Sequence, residues 1–99
     1  MKYKLLVFDV DGTAVVSGGG RVTEQVKEAV NRAKEQLQVS LATGRHLTEI
    51  DYILDQLKLE VPCIIAGGTK IIDPKTLKVL WEGKLSADKL AQVLEVVKK

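Results

Sequence analysis

Apolar positions along this chain fall into blocks whose period switches between strand-like and helix-like. Residues 4–8, ending Leu5-Leu6-Val7-Phe8, form a continuous β-rich apolar run, which predicts a strand buried on both faces. Residues 12–20 are small and glycine-rich, end in Ser17-Gly18-Gly19-Gly20, and read as a flexible loop. Thr23 then has the character of an N-cap, with Val26, Ala29, Val30 and Ala33 behind it at helical spacing. Leu37 to Ala42 is a second strand-like run, broken by Thr43-Gly44-Arg45. Ile50, Ile53, Leu54 and Leu57 mark one face of a second helix. Pro62 opens a third apolar strand, Cys63 to Ala66, which Gly67-Gly68 ends.

Strand, helix, strand, helix, strand in this order predicts the α/β class, with three parallel strands joined by right-handed crossovers. The rest of the chain departs from the alternation. Lys70–Ile72 and Leu77–Trp81 flank Asp73-Pro74-Lys75-Thr76 and predict a β-hairpin. A last helix follows, with Ser86 as N-cap, Asp88 in the first turn and Leu85 stapled onto Leu90. Its apolar stripe is Leu90, Val93, Leu94 and Val97. The natural division is residues 1–68 as a sheet core and 69–99 as hairpin plus helix, packed as one domain. No internal repeat appears.

Ninety-nine residues suffice for one small domain, and an apolar fraction of 45% suffices for its core. Aromatics make up only 4%, so that core is aliphatic. A net charge of +2 with no basic cluster argues against nucleic acid and against an anionic membrane as partners. Lys98-Lys99 reads as a solvated end. No apolar run approaches the roughly 20 residues of a membrane helix, and the N-terminal run meets Asp9 too early for a signal peptide. Cys63 is the single cysteine, so no internal disulfide is available; a buried, inert thiol is expected. These features point to the cytoplasm.

Candidate chemistry lies in Asp9-Val10-Asp11-Gly12-Thr13. Two carboxylates at the tip of a buried strand need a cation or a reaction to compensate them. In open α/β sheets ligands sit at the carboxyl ends of the strands. Asp9–Thr13, Thr43-Gly44-Arg45 and Gly67-Gly68-Thr69 all fall there, and parallel neighbours would bring them together. The set suits phosphoryl transfer. Asp9 can attack phosphorus as a carboxylate nucleophile, Asp11 can carry the proton, and a hard Mg²⁺ can cancel the repulsion between anions. Gly12 permits a close backbone turn, and Thr43 and Gly44 can hold the non-transferring oxygens. With Thr13 and Arg45 they complete the candidate phosphate contacts. Plainer roles stand beside these: the Asp pair as turn formers, Thr43 as N-cap of the second helix, Arg45 as a surface charge, Gly67-Gly68 as a tight turn. His46 reads as a helix-start residue and Trp81 as hairpin packing.

D-V-D-G-T after an apolar strand, L-A-T-G-R after the next and I-I-A-G-G-T-K-I-I-D-P after the third resemble the haloacid dehalogenase superfamily, in its Cof-type branch of phosphoglycolate and sugar-phosphate phosphatases. The resemblance implies a Rossmannoid core, Asp9 as nucleophile and Mg²⁺ ligand, and Asp11 as general acid/base with its backbone carbonyl on the metal. It also implies Thr43 at the phosphate and Gly12–Gly20 as a mobile flap. The substrate class is a small phosphorylated metabolite. Where the branch commonly carries Asn-Gly, this chain has Ala66-Gly67-Gly68. A phosphate-stabilising lysine and a later acidic metal motif, both expected beyond the inserted cap, are not assigned to any residue here, Lys70 and Asp73 included. The chain thus resembles the N-terminal part of such a phosphatase, ending about where the cap begins. Two readings follow: a Mg²⁺-dependent phosphatase, weak or incomplete as this chain, or a non-catalytic phosphate- or Mg²⁺-binding or interaction module derived from one. Leu5–Phe8 would then be an open apolar edge, covered by a second copy or a complementary chain.

Overall fold

The computed structural model describes residues 2–15, 21–84 and 86–97. Much of the expected flap, the Leu85 staple and the Lys98-Lys99 end lie outside the described residues. Five strands form one sheet in the order β1-β2-β3-β4-β5. They are β1 (Leu5–Asp9), β2 (Gln38–Ala42), β3 (Cys63–Ile65), β4 (Lys70–Ile72) and β5 (Val79–Glu82). Helices α1 (Glu24–Gln36) and α2 (Leu47–Leu57) make the two crossovers, and α3 (Ala87–Val97) follows the sheet. The first three strands are parallel, and β4 and β5 add antiparallel to them. This is the expected architecture, with the hairpin extending the same sheet.

Local chemistry sets the boundaries. Thr23 caps α1, its Oγ1 accepting from the Val26 amide at 3.2 Å. Ser86 does the same for Lys89 at the start of α3, also at 3.2 Å. Thr43 is not the cap of α2. That position belongs to His46, whose amide donates to Glu49 Oε1 at 3.2 Å while its carbonyl accepts from the Glu49 amide. β5 begins at Val79, two residues later than expected, because Leu77 takes φ +64 and closes a turn onto Asp73. The Trp81 ring rests against Gly83, where a Cβ would lie 2.9 Å from it.

The core sits between α2 and the centre of the sheet. Ile50 and Ile53 of α2 are fully buried, as are Leu41, Ile65 and Ile72 of the strands; Cys63 is buried beside them. Burial raises the pKa of that thiol above its ordinary value, which suits an inert packing role. In α1 the periodic stripe is buried at Val30, half-buried at Val26 and Ala33, and exposed at Ala29.

The two-faced burial expected of β1 is not observed. The strand pairs with β2 alone among the described residues, and Leu5, Leu6 and Val7 are 52%, 44% and 45% exposed. An apolar run predicts a covered strand only when something lies on its far side; here β1 is the sheet's edge. The stripe of α3 is likewise uncovered, with Leu90, Val93 and Leu94 about half exposed and no residue of the helix buried.

β3 ends one residue early. Ala66, Gly67 and Gly68 form a short 3-10 turn with φ of +52°, +66° and +93°. Glycine adopts this left-handed region freely, whereas alanine there costs on the order of 1–2 kcal/mol. The turn is held because Ala66 donates to the Arg45 carbonyl at 2.8 Å and Gly67 to the Thr43 carbonyl at 3.1 Å.

Two stability measurements follow by urea denaturation. Ile53→Ala should cost about 2–5 kcal/mol, the range for emptying a buried aliphatic site, while Leu94→Ala on uncovered α3 should cost under about 0.5 kcal/mol. Equal losses would contradict this division of the core. Ala66→Gly should stabilise the chain by up to about 1 kcal/mol by relieving the left-handed alanine; a loss would show that the turn is not strained there.

Candidate active site

Strand register assembles the site. Asp9 of β1 pairs with Ala42 of β2, and Ala42 pairs with Ile64 of β3. The residues just beyond these pairs therefore meet at one end of the sheet. Asp9, Ala42, Thr43, Gly44, Gly67 and Gly68 line a common cleft of about 430 Å³ there, floored by Val7, Phe8 and Ile64. A Cβ on Gly44, Gly67 or Gly68 would meet nothing within 4 Å, so these positions border open space. Gly67-Gly68 is both the tight turn and part of the cleft wall.

Asp9 is exposed, and its Oδ1 accepts from the Val10 amide at 2.8 Å. Its other oxygen has no partner among the described residues. Thr43 is 5% exposed. Its Oγ1 accepts from the Arg45 amide at 3.1 Å, which leaves its hydroxyl hydrogen to donate. A carboxylate with a free oxygen thus lies in the same cleft as a hydroxyl donor and a glycine turn.

Asp11 is directed elsewhere. Fully buried Val10 turns the chain, its carbonyl accepting from the amides of Thr13, Ala14 and Val15. Gly12 takes φ +78 and donates to the Val15 carbonyl at 2.9 Å. The amides of Gly12 and Thr13 are therefore already used within this turn. Both residues line a neighbouring groove of about 460 Å³ with Ala14, Val15, Arg21 and Thr23, not the cleft of Asp9.

The turn presents Asp11 to Arg45. The guanidinium grips the carboxylate in a fork, Nε donating to Oδ2 at 3.0 Å and Nη2 to Oδ1 at 2.5 Å. Its Nη1 donates to the Glu49 carbonyl at 3.2 Å and to the Tyr52 hydroxyl at 3.0 Å. The Arg45 side chain is only 13% exposed, against 40% for Asp11. The hydrogen bonds from Arg45 hold the Asp11 carboxyl below its ordinary pKa, and the same bonds, with Tyr52, raise that of Arg45. Arg45 is thus neither a loose surface charge nor presented to the cleft; it is spent on Asp11 and α2. Tyr52, not singled out from the sequence, is the residue that completes its coordination. Its place in the middle of α2, seven residues after Arg45, is the available signal.

Oxygen donors at this end suit a hard cation. Mg²⁺ needs only one or two carboxylates, filling its octahedron with water and phosphate oxygens. Asp9 offers a free carboxylate oxygen, and Asp11 a carboxylate now paired with Arg45. The residues fit such an ion as part of a site; no cluster of three or more His, Cys, Asp or Glu is found among the described residues. No helix among them is long and apolar enough to cross a membrane.

The chain matches the haloacid dehalogenase-like hydrolase family over residues 6–99. It is 33% identical over 95 residues to an HMP-PP phosphatase of Serratia proteamaculans, covering 93% of this chain and 33% of that protein. It is 35% identical over 69 residues to an HMP-PP phosphatase of Klebsiella pneumoniae, covering 69% of this chain and 25% of that protein. A crystal structure of a haloacid dehalogenase-like hydrolase from Bacteroides thetaiotaomicron superposes with a TM-score of 0.73 at 26% identity, over 98% of this chain and 38% of that one. The chain therefore spans a quarter to a little over a third of the length of these relatives. A match that runs from residue 6 to residue 99 through all three strand-end clusters places this chain in the haloacid dehalogenase-like hydrolase family.

Proposed function

We propose that the protein is a phosphatase that hydrolyses small phosphate monoesters through an aspartyl-phosphate on Asp9. The observation that carries this reading is the free Asp9 carboxylate oxygen in the cleft shared with Thr43, Gly44 and the Gly67-Gly68 turn. Both named relatives are phosphatases, which lends no support to a non-catalytic module. In the first step Asp9 Oδ attacks phosphorus and the ester P–O bond breaks, the leaving oxygen taking up a proton. In the second, water attacks the phosphoryl group and Asp9 is released. The Thr43 hydroxyl donates to a phosphoryl oxygen, and the exposed turn keeps side chains away from it. Asp9 by its carboxylate and Asp11 by its backbone carbonyl would hold Mg²⁺, which when bound would cancel charge between carboxylate and phosphate.

Asp11 carries the proton in this scheme. Paired with Arg45 it is ionised but both its oxygens are engaged, so it has to leave Arg45 before it accepts a proton from the attacking water. Donation to the leaving group requires it to exchange Arg45 for a proton. Residues 1–68 supply this partial core and 69–99 the start of a cap-like segment. The exposed edge of β1 is the surface we assign to further polypeptide, a second copy or a complementary chain. The cytoplasm is the compartment that fits the reading.

The test is hydrolysis of an aryl phosphate with Mg²⁺ by the chain and by Asp9→Asn, both shown folded by circular dichroism. The chain should turn over slowly, about tenfold or more above Asp9→Asn, since loss of single stabilising groups elsewhere in a site costs on the order of 10²–10³ in rate. Equal rates would contradict the assignment of Asp9.

A further inference from the structure

Arg45 cannot set the place of the Asp11 carboxylate unless its own guanidinium is fixed. Its fork with Asp11 uses Nε and Nη2. What remains, Nη1, is taken by α2: the Glu49 carbonyl at 3.2 Å and the Tyr52 hydroxyl at 3.0 Å. A guanidinium is planar, so fixing Nη1 fixes the direction in which the other two nitrogens point. The Glu49 carbonyl is a helix backbone group and can hold only one of the two Nη1 hydrogens. The Tyr52 hydroxyl accepts the other.

The chain of contacts is therefore ordered: α2, Tyr52, Arg45, Asp11. Tyr52 is half-buried on α2, whose neighbouring Ile53 and Leu54 are locked in the core. Its ring position is thus set by the best-packed helix of the fold. Val10 and Val15 pack the turn of Asp11 into the core, but the Asp11 carboxylate itself stands 40% exposed, against 13% for Arg45. The rigid end of the contact chain is the tyrosine, and the adjustable end is the carboxylate. Groups that orient a reacting residue through a second layer of hydrogen bonds commonly matter as much as the residue's own backbone.

We propose that Tyr52 is a positioning residue for Asp11, acting through the Arg45 guanidinium without touching substrate. Its hydroxyl, not its ring, is the operative part. The proposal rests on the phosphatase reading only for the consequence that Asp11 then transfers a proton; the contact chain itself is independent of turnover.

The experiment reads the guanidinium directly. In ¹³C,¹⁵N-labelled 99-residue chain, hydrogen exchange at Arg45 Nε–H is compared with that at the exposed Arg21 and Arg32. The Arg45 signal should exchange at least several-fold more slowly than the other two. Tyr52→Phe, which keeps the ring, should bring it several-fold closer to them and move the Asp11 ¹³Cγ resonance, with the backbone amide spectrum otherwise preserved. Arg45→Lys keeps the charge and removes the fork; on that background Tyr52→Phe should no longer move the Asp11 resonance. An unchanged Arg45 signal in Tyr52→Phe would overturn the proposal, as would an Asp11 shift that persists in the Arg45→Lys background. If the chain hydrolyses an aryl phosphate, Tyr52→Phe should lower kcat several-fold and leave KM in place. A loss seen in KM alone would also overturn it. Absence of all hydrolysis with the spectroscopic pattern intact would instead strike the phosphatase reading and leave the positioning role standing.

Discussion

The grip of Arg45 ties together parts of the chain that are far apart in sequence. Its guanidinium takes Asp11 beyond β1 and two groups of α2, its amide donates to Thr43 beyond β2, and its carbonyl accepts from Ala66 beyond β3. Three strand-end segments and one helix thus converge on a single residue. Two are held through the Arg45 backbone, by its amide and its carbonyl, and two through its guanidinium, by a charged fork to Asp11 and single bonds from Nη1 to α2. The cleft of Asp9 owes its walls to this arrangement, because the Thr43 hydroxyl and the Ala66 turn are both oriented by Arg45. The same grip ionises Asp11 and points it away from the cleft, so the two carboxylates of D-V-D occupy unlike environments: Asp9 exposed with a free oxygen, Asp11 in a salt bridge.

Much of this was legible in the residues alone. The helical period of Ile50, Ile53, Leu54 and Leu57 located α2 and its buried face, and the apolar runs located β1 to β3 in parallel order. Convergence of the strand-end clusters followed from that topology. The distribution of roles among the clusters did not. Spacing places Arg45 beside the cleft, but which way a long side chain turns is decided by the partners it meets, here a carboxylate reached across 34 residues and a tyrosine seven residues on, in α2. Thr43 was open to a capping role because it precedes α2; the cap fell instead to His46, whose Glu49 sits at the right offset for a reciprocal bond. Gly12 was expected to present amides to a phosphate, yet tight turns consume their own amides, and this one donates to Val15.

The β1 edge shows a different limit. A run such as Leu5-Leu6-Val7 states that the strand should be covered, and composition cannot say by what. Its exposure, the uncovered stripe of α3 and the bare β5 leave three apolar surfaces around a core built mostly on α2. The core is buried without them, so the site geometry stands while these apolar surfaces remain open to solvent. That pattern agrees with a chain spanning about a third of its relatives' length.

The claim on which the account turns is that the free oxygen of Asp9, and not Asp11, faces a phosphate-sized space. Beryllofluoride, which bonds to a carboxylate as a phosphoryl group does, tests it directly by ¹⁹F nuclear magnetic resonance in the presence of Mg²⁺. The account predicts bound fluorine signals in the chain that vanish in Asp9→Asn and persist in Asp11→Asn. Signals that survive Asp9→Asn, or depend on Asp11 instead, would contradict it.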